Sequence, residues 1–202
     1  MRRSLGECRK LKLVLYATCL FAVSMGITSC SGLKSKYYPG EKMVIPEGQL
    51  SDESIWMCEG EAYYVMRTES NTYAAATLKW DKKKNAYSVI SYELVPSKIG
   101  NQSFLSVKDN DLYTLFYARF DGGDSVVAFR VNREKMVRDI ADGLVNAHAD
   151  EHDVFLDGSK EEQDEYISKN IDSMFSMESA SFAKKISEKQ RPEEPAPAEP
   201  AE

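Results

Sequence analysis

Between Ile55 and Val131 the chain is a succession of short runs rich in aromatic and β-branched residues, each closed by turn formers. The runs cover 55–58, 62–68, 73–80, 86–95, 103–108, 112–120 and 125–131. Runs of that length and makeup, punctuated in that way, predict antiparallel strands. The separators are short: 81–85 with three lysines inside, then Asp109-Asn110, then Asp121-Gly122-Gly123-Asp124. Paired glycines supply the positive φ angles that a tight two-residue turn needs. Short loops join neighbours in sequence, so the expected sheet is a meander.

The run 112–120 is apolar on both faces. Leu112, Phe116, Ala118 and Phe120 share one side, while Tyr113, Leu115 and Tyr117 share the other. A strand of that kind is central and covered twice. A curled sheet would cover one face and helices the other.

After Val131 the period lengthens. Met136, Val137, Ile140 and Leu144 fall at helical spacing, with Asn132 placed as N-cap and Gly143 near the stop. Residues 154–156 read as a short strand. Ser159 and Glu162 then form a capping box, in which each side chain satisfies the other's free backbone amide. A helix over 160–170 follows, burying Tyr166 and Ile167, and Met174, Phe175, Phe182 and Ile186 suggest a further helical stretch. The last residues, 192–202, hold four prolines and four glutamates, a composition that predicts a disordered, solvated tail.

The start of the chain has a different logic. Arg2, Arg3, Arg9, Lys10 and Lys12 face a single acid, Glu7, and no charge occurs from Leu13 to Leu33. The core of that stretch has the length of a signal-peptide apolar segment. It ends in Ile27-Thr28-Ser29-Cys30, aliphatic, small, small, cysteine. Residues 1–32 therefore resemble the signal peptide and lipobox of bacterial lipoproteins. The resemblance implies cleavage before Cys30, a thioether-linked diacylglyceryl group on its sulfur, and residence in the cell envelope. Ser31 stands where an aspartate would imply retention in the inner membrane, so the outer membrane is implied if the host has one. Two or more acyl chains anchor a protein firmly, whereas one does so only marginally.

The whole chain has 202 residues and a formal charge of −6, and removing the leader makes the remainder more acidic. Residues 150–202 carry 15 acids and 6 bases. No basic stripe runs along the chain, which argues against nucleic acid as a partner. On that resemblance Cys8 and Cys19 would leave with the leader and Cys30 would be modified, so of the four cysteines Cys58 is the one expected to remain a thiol. A lone cysteine in Trp56-Met57-Cys58 reads as a small buried hydrophobe.

The sharpest chemical candidate is His148-Ala149-Asp150-Glu151-His152, which spells the H-x-x-E-H of inverted zinc peptidases. That chemistry needs both imidazoles one helical turn apart, a third ligand, and the glutamate as base for a zinc-bound water. The segment instead follows a helix end and enters a strand, so it is expected to be a solvated acidic loop. No catalytic residue, metal or cofactor is assigned. His148, Glu151 and His152 stand as the candidates if a metal is bound. Asp109, Asp111, Asp121 and Asp124 read as hairpin acids. Lys82, Lys83 and Lys84 read as a solvated turn, with anionic headgroups or polymer as the alternative. The strand tyrosines (Tyr63, Tyr64, Tyr73, Tyr87, Tyr92, Tyr113, Tyr117) read as sheet core, with a ligand pocket as the alternative. The chain has no phosphate-binding glycine loop, G-x-S-x-G elbow or redox cysteine pair.

The expected organisation is a lipoprotein signal over 1–29, an anchor and tether over 30–52, and a single α+β domain over 53–190. A tail follows over 191–202. The domain is an antiparallel meander, sandwich-like or curled toward a barrel, followed by short helices. The leading functional expectation is a non-catalytic, membrane-anchored envelope protein that binds an envelope protein partner or supports structure. The alternatives are a carrier of a small apolar ligand inside the curled sheet and, last, a zinc-dependent hydrolase.

Overall fold

A computed structural model describes residues 32–45, 53–68, 70, 72–121 and 123–188. The segments read as a leader over 1–29 and a tail over 191–202 lie outside the described residues, as does Cys30. Eight strands form a closed antiparallel ring: β3 (Glu53–Cys58), β4 (Glu61–Arg67), β5 (Tyr73–Asp81), β6 (Ala86–Ile99), β7 (Gln102–Asp109), β8 (Leu112–Asp121), β9 (Ser125–Val131) and β12 (Phe175–Glu188). β3 to β9 pair in sequence order, and β12 bridges β9 to β3. The curled meander is thus a barrel, and the protein is mainly β rather than α+β. Its two described helices are short: α1 (Arg133–Ala141) and α2 (Lys160–Met174).

The closing strand β12 covers residues that read as helical in the sequence. Phe182 and Ile186 are four apart, and an even spacing of four places two residues on one face in either a helix or a strand. Long-range pairing decides between the two. Phe182 lies opposite Val127, and Lys184 lies opposite both Met57 and Ser125. The chain passes from α2 straight into this strand, for Phe175 already has extended angles (φ −115°, ψ 133°).

The segment read as a tether contributes to the fold. β1 (Leu33–Ser35) runs parallel to β11 (Val154–Leu156) and antiparallel to the first half of β8, with Leu33 opposite both Val154 and Leu115. Leu33 is 0% exposed, a burial that stabilises by about 2 kcal/mol. Three residues are too few to show a period in the sequence, and their partners lie about 80 and 120 positions away, so the strand could not be read locally. β10 (Ala147–Ala149) adds to the far side of β11, and β2 (Glu41–Lys42) adds to β6. Further on, Ile45 enters the barrel interior and is 2% exposed.

Two cores result, one on each side of β8. Leu115 and Tyr117 face α1 and α2, where Tyr117 stacks on Phe129 at 5.4 Å between ring centroids. α2 buries Gln163, Tyr166, Ile167, Ile171 and Met174, an apolar stripe at helical spacing. Its capping box is present as read, and α1 is capped by Asn132, whose side chain accepts from Lys135 N. Gln163 is buried yet satisfied. It accepts from Ser35 Oγ at 2.6 Å and donates to Leu156 O and Gly158 O, tying α2 to β1. On the other side of β8, Phe116 and Phe120 face the barrel interior.

Candidate functional site

The interior of the ring forms a half-open cavity of about 280 Å³. Every one of its eight strands contributes to the wall through side chains of one face, as Trp56 and Cys58 do on β3, Leu105 and Val107 on β7, and Val126 and Ala128 on β9. This follows from the period of two along each strand, which sends alternate residues inward. The indole of Trp56 donates to Ser54 Oγ at 2.8 Å, so its buried N–H is met and the ring faces the cavity as apolar surface.

One end of the wall is polar. There the β3–β4 turn carries Glu59 at φ +50° and Gly60 at φ +83°, the two positive angles of a type I′ hairpin. That turn sets Glu59 against the barrel. Arg130 donates to Glu59 Oε1 at 2.8 Å and to Ser181 Oγ at 3.0 Å, and Ser181 in turn donates to Glu59 at 2.5 Å. One hairpin turn and two strands, β9 and β12, meet in this trio. Glu59 is more than half exposed and Arg130 about a quarter, so the cluster marks the mouth. The sequence reading missed both Glu59 and Arg130. The Glu59-Gly60 pair, a hairpin signal of the acid-glycine kind, was the clue.

Cys58 also lines the cavity and is half-buried. Burial pushes its thiol up first, and the neighbouring Glu59 carboxylate adds to the rise, while Arg130 pulls the other way. A nucleophilic cysteine needs the opposite environment. Tyr63 is likewise pushed up, by burial and then by its hydrogen bond to Glu61.

The strand tyrosines divide three ways. Tyr63, Tyr73 and Tyr92 line the cavity, Tyr113 and Tyr117 pack on the helix side, and Tyr64 and Tyr87 are exposed. The sequence signalled their number but not the division.

The structure does not bring the two histidines together as a metal pair. His148 lies on β10 rather than in a loop; its ring stacks on Phe155 at 4.8 Å, and its Nδ1 lies 2.6 Å from Asp157 Oδ2. His152 sits in the following bend, where its backbone N–H and that of Asp153 donate to Asp150. Those bonds hold the Asp150 carboxyl below its ordinary range. Glu151 is exposed in the same bend. Among the described residues no group of three or more His, Cys, Asp or Glu side chains is arranged to hold a metal ion.

No protein-family model, curated protein or solved structure matches this chain.

Proposed function

We propose that this protein is a lipid-anchored envelope protein that carries a small apolar molecule inside its barrel, without catalysing a reaction. The observation that carries the reading is the cavity itself: a space of about 280 Å³ inside a closed ring, walled mainly by apolar side chains. Ligand sites are concave, mostly apolar and supplied with a few placed polar groups. A water takes about 30 Å³ in the liquid, so the space suits a body of roughly nine water-sized atoms. A hydrogen-bonding end would face Glu59, Arg130 and Ser181. Because Glu59 already meets the Arg130 charge, a neutral head suits that end better than a free anion.

The cavity supports ligand carriage over the partner-binding or structural role that the sequence put first. The apolar interior differs from that of a membrane-spanning barrel, whose lumen is polar. Attachment would come from acylation of Cys30, as the lipobox resemblance implies. The buried Leu33 is three positions after Cys30, a reach of about 10 Å when extended. The barrel would then ride close to the bilayer.

Native mass spectrometry of protein extracted from membranes tests the carriage. The expected spectrum contains a complex heavier than the apoprotein by one small, organic-extractable molecule. Only apoprotein, together with failure to take up any of a panel of small apolar compounds, would contradict the reading. Intact-mass analysis of the same sample tests the anchor. A chain beginning at an acylated Cys30 is expected, and a retained leader or a bare thiol there rejects it.

A further inference from the structure

The β5–β6 hairpin outgrows the barrel. Pairing between β4 and β5 ends at Tyr64 and Ala76, and pairing between β6 and β7 begins only at Glu93 and Lys108. Beyond those points β5 and β6 pair with each other alone, through Leu78 with Val89 and Trp80 with Tyr87. The result is a two-stranded ribbon that runs on past the ring, tied to β4 at its base where Thr77 Oγ donates to Ala62 O at 2.8 Å. One of its faces carries Leu78, Trp80, Tyr87 and Val89, exposed by 65%, 46%, 68% and 69%. Trp80 and Tyr87 meet edge to face at 5.0 Å between ring centroids. Large apolar side chains gathered on one exposed face mark an interaction site.

The tip of the ribbon has the charge of a particular partner. Lys79, Lys82, Lys83 and Lys84 crowd around one acid, Asp81, in a chain whose overall charge is −6. Asp81 is occupied with the turn. It accepts from the backbone of Lys83 and Lys84 and lies 3.6 Å from Lys84 Nζ. Lys82 and Lys83 are exposed at the end of the turn. Tryptophan and tyrosine beside lysine is the chemistry of the bilayer interface, where amphipathic rings sit at headgroup level and ammonium groups meet phosphate. The ribbon also has outer backbone edges that no described strand pairs, and these forbid deep entry into hydrocarbon. Interfacial depth satisfies all three features.

We propose that the β5–β6 ribbon is a membrane-surface contact: Leu78, Trp80, Tyr87 and Val89 seat in the interface of an anionic bilayer while Lys82, Lys83 and Lys84 bind its phosphates. The inference is independent of the cavity and of acylation at Cys30. No described helix is long and apolar enough to cross a membrane.

Trp80 reports on this contact directly. The chain has two tryptophans, and the other, Trp56, is buried in the barrel. Subtracting the spectrum of Trp80→Phe from that of the wild type isolates Trp80 in the full chain. The protein is added to vesicles of phosphatidylcholine with or without phosphatidylglycerol, brominated along the acyl chains. In anionic vesicles Trp80 emission is expected to shift to the blue and to be quenched by bromines close to the headgroups. Each Lys→Gln change at 82, 83 or 84 is expected to lower the ratio of docked to undocked ribbon roughly fivefold. Salt of about 1 M, where the Debye length is about 3 Å, is expected to undo the docking. The proposal is overturned if Trp80 stays unquenched in anionic vesicles, or is quenched equally in neutral ones. It is also overturned if the blue shift arises without lipid as protein concentration rises, because the ribbon would then be pairing with a second copy. Either result leaves ligand binding in the barrel standing.

Discussion

Glu59 and Arg130 stand 71 positions apart in the chain and meet at 2.8 Å on the rim of the barrel, with Ser181 hydrogen-bonded to both. The contact brings together the first hairpin of the ring, its last meander strand and the strand that closes it. Since the pair is partly exposed, its own contribution to stability is small, on the order of 0–1 kcal/mol. Its influence falls on the cavity mouth and on Cys58 beside it.

Replacing the charge at Glu59 tests that influence. Glu59 helps to hold the Cys58 thiol up, second to burial, and Arg130 opposes it. Glu59→Gln is therefore expected to lower the thiol's pKa, and Arg130→Gln to raise it further. The pH dependence of alkylation by a small thiol reagent measures both. Identical profiles for the two variants and the wild type would mean that the carboxylate does not act on the sulfur.

Asp139 links the helices. Burial alone would raise its carboxyl, but hydrogen bonds from Lys135 Nζ and Tyr166 OH outweigh this and hold it below the ordinary value of 3.8. A carboxyl with a depressed folded value stabilises fully above its unfolded value. That stabilisation is lost as pH falls from about 4 toward the folded value. Asp139→Asn is expected to cost roughly 1–3 kcal/mol at neutral pH and to flatten the stability loss below about pH 4. Urea unfolding at neutral and acid pH reads both effects. An unchanged acid limb in the variant would place the acid sensitivity elsewhere.

Gly40 is expected to tolerate no side chain. Its φ is +60°, and an added Cβ would lie 1.9 Å from Lys98 O. Its N–H also donates to Asp164 Oδ1, and its carbonyl accepts from Lys160 Nζ at 2.7 Å, which clasps the segment after β1 to α2. Gly100 has a similar φ of +58°, yet nothing lies within 4 Å of its added Cβ. Gly100→Ala is expected to cost about 1–2 kcal/mol, the ordinary left-handed penalty, and Gly40→Ala at least about 2 kcal/mol more. Equal losses in denaturant unfolding would show that the close approach to Lys98 is relieved without cost.

Local periodicity made the meander legible. Seven strand runs, the cap of α1 and the Ser159–Glu162 box fall where the residues place them, and the two-faced run 112–120 is covered by barrel on one side and helices on the other. What was not legible depends on distant partners. β1 is three residues long and exists because Leu115 and Val154 receive Leu33. β12 reads as helix because Phe182 and Ile186 fit either period, and only its pairing with β3 and β9 settles it. Closure of the ring, and with it the cavity, rests on that one strand. The site was therefore visible only as a surplus of tyrosines, three of which turn inward.

Binding of a two-ring apolar fluorophore such as 1-aminonaphthalene, compared between the wild type and Ala128→Phe, addresses the barrel most directly. Ala128 points into the cavity, so a phenyl ring there would fill it from the wall while leaving the mouth residues untouched. The account predicts saturable, one-to-one enhancement in the wild type, and its loss in a variant whose circular dichroism is unchanged. Equal enhancement in both proteins, or none in a delipidated wild type, would contradict it.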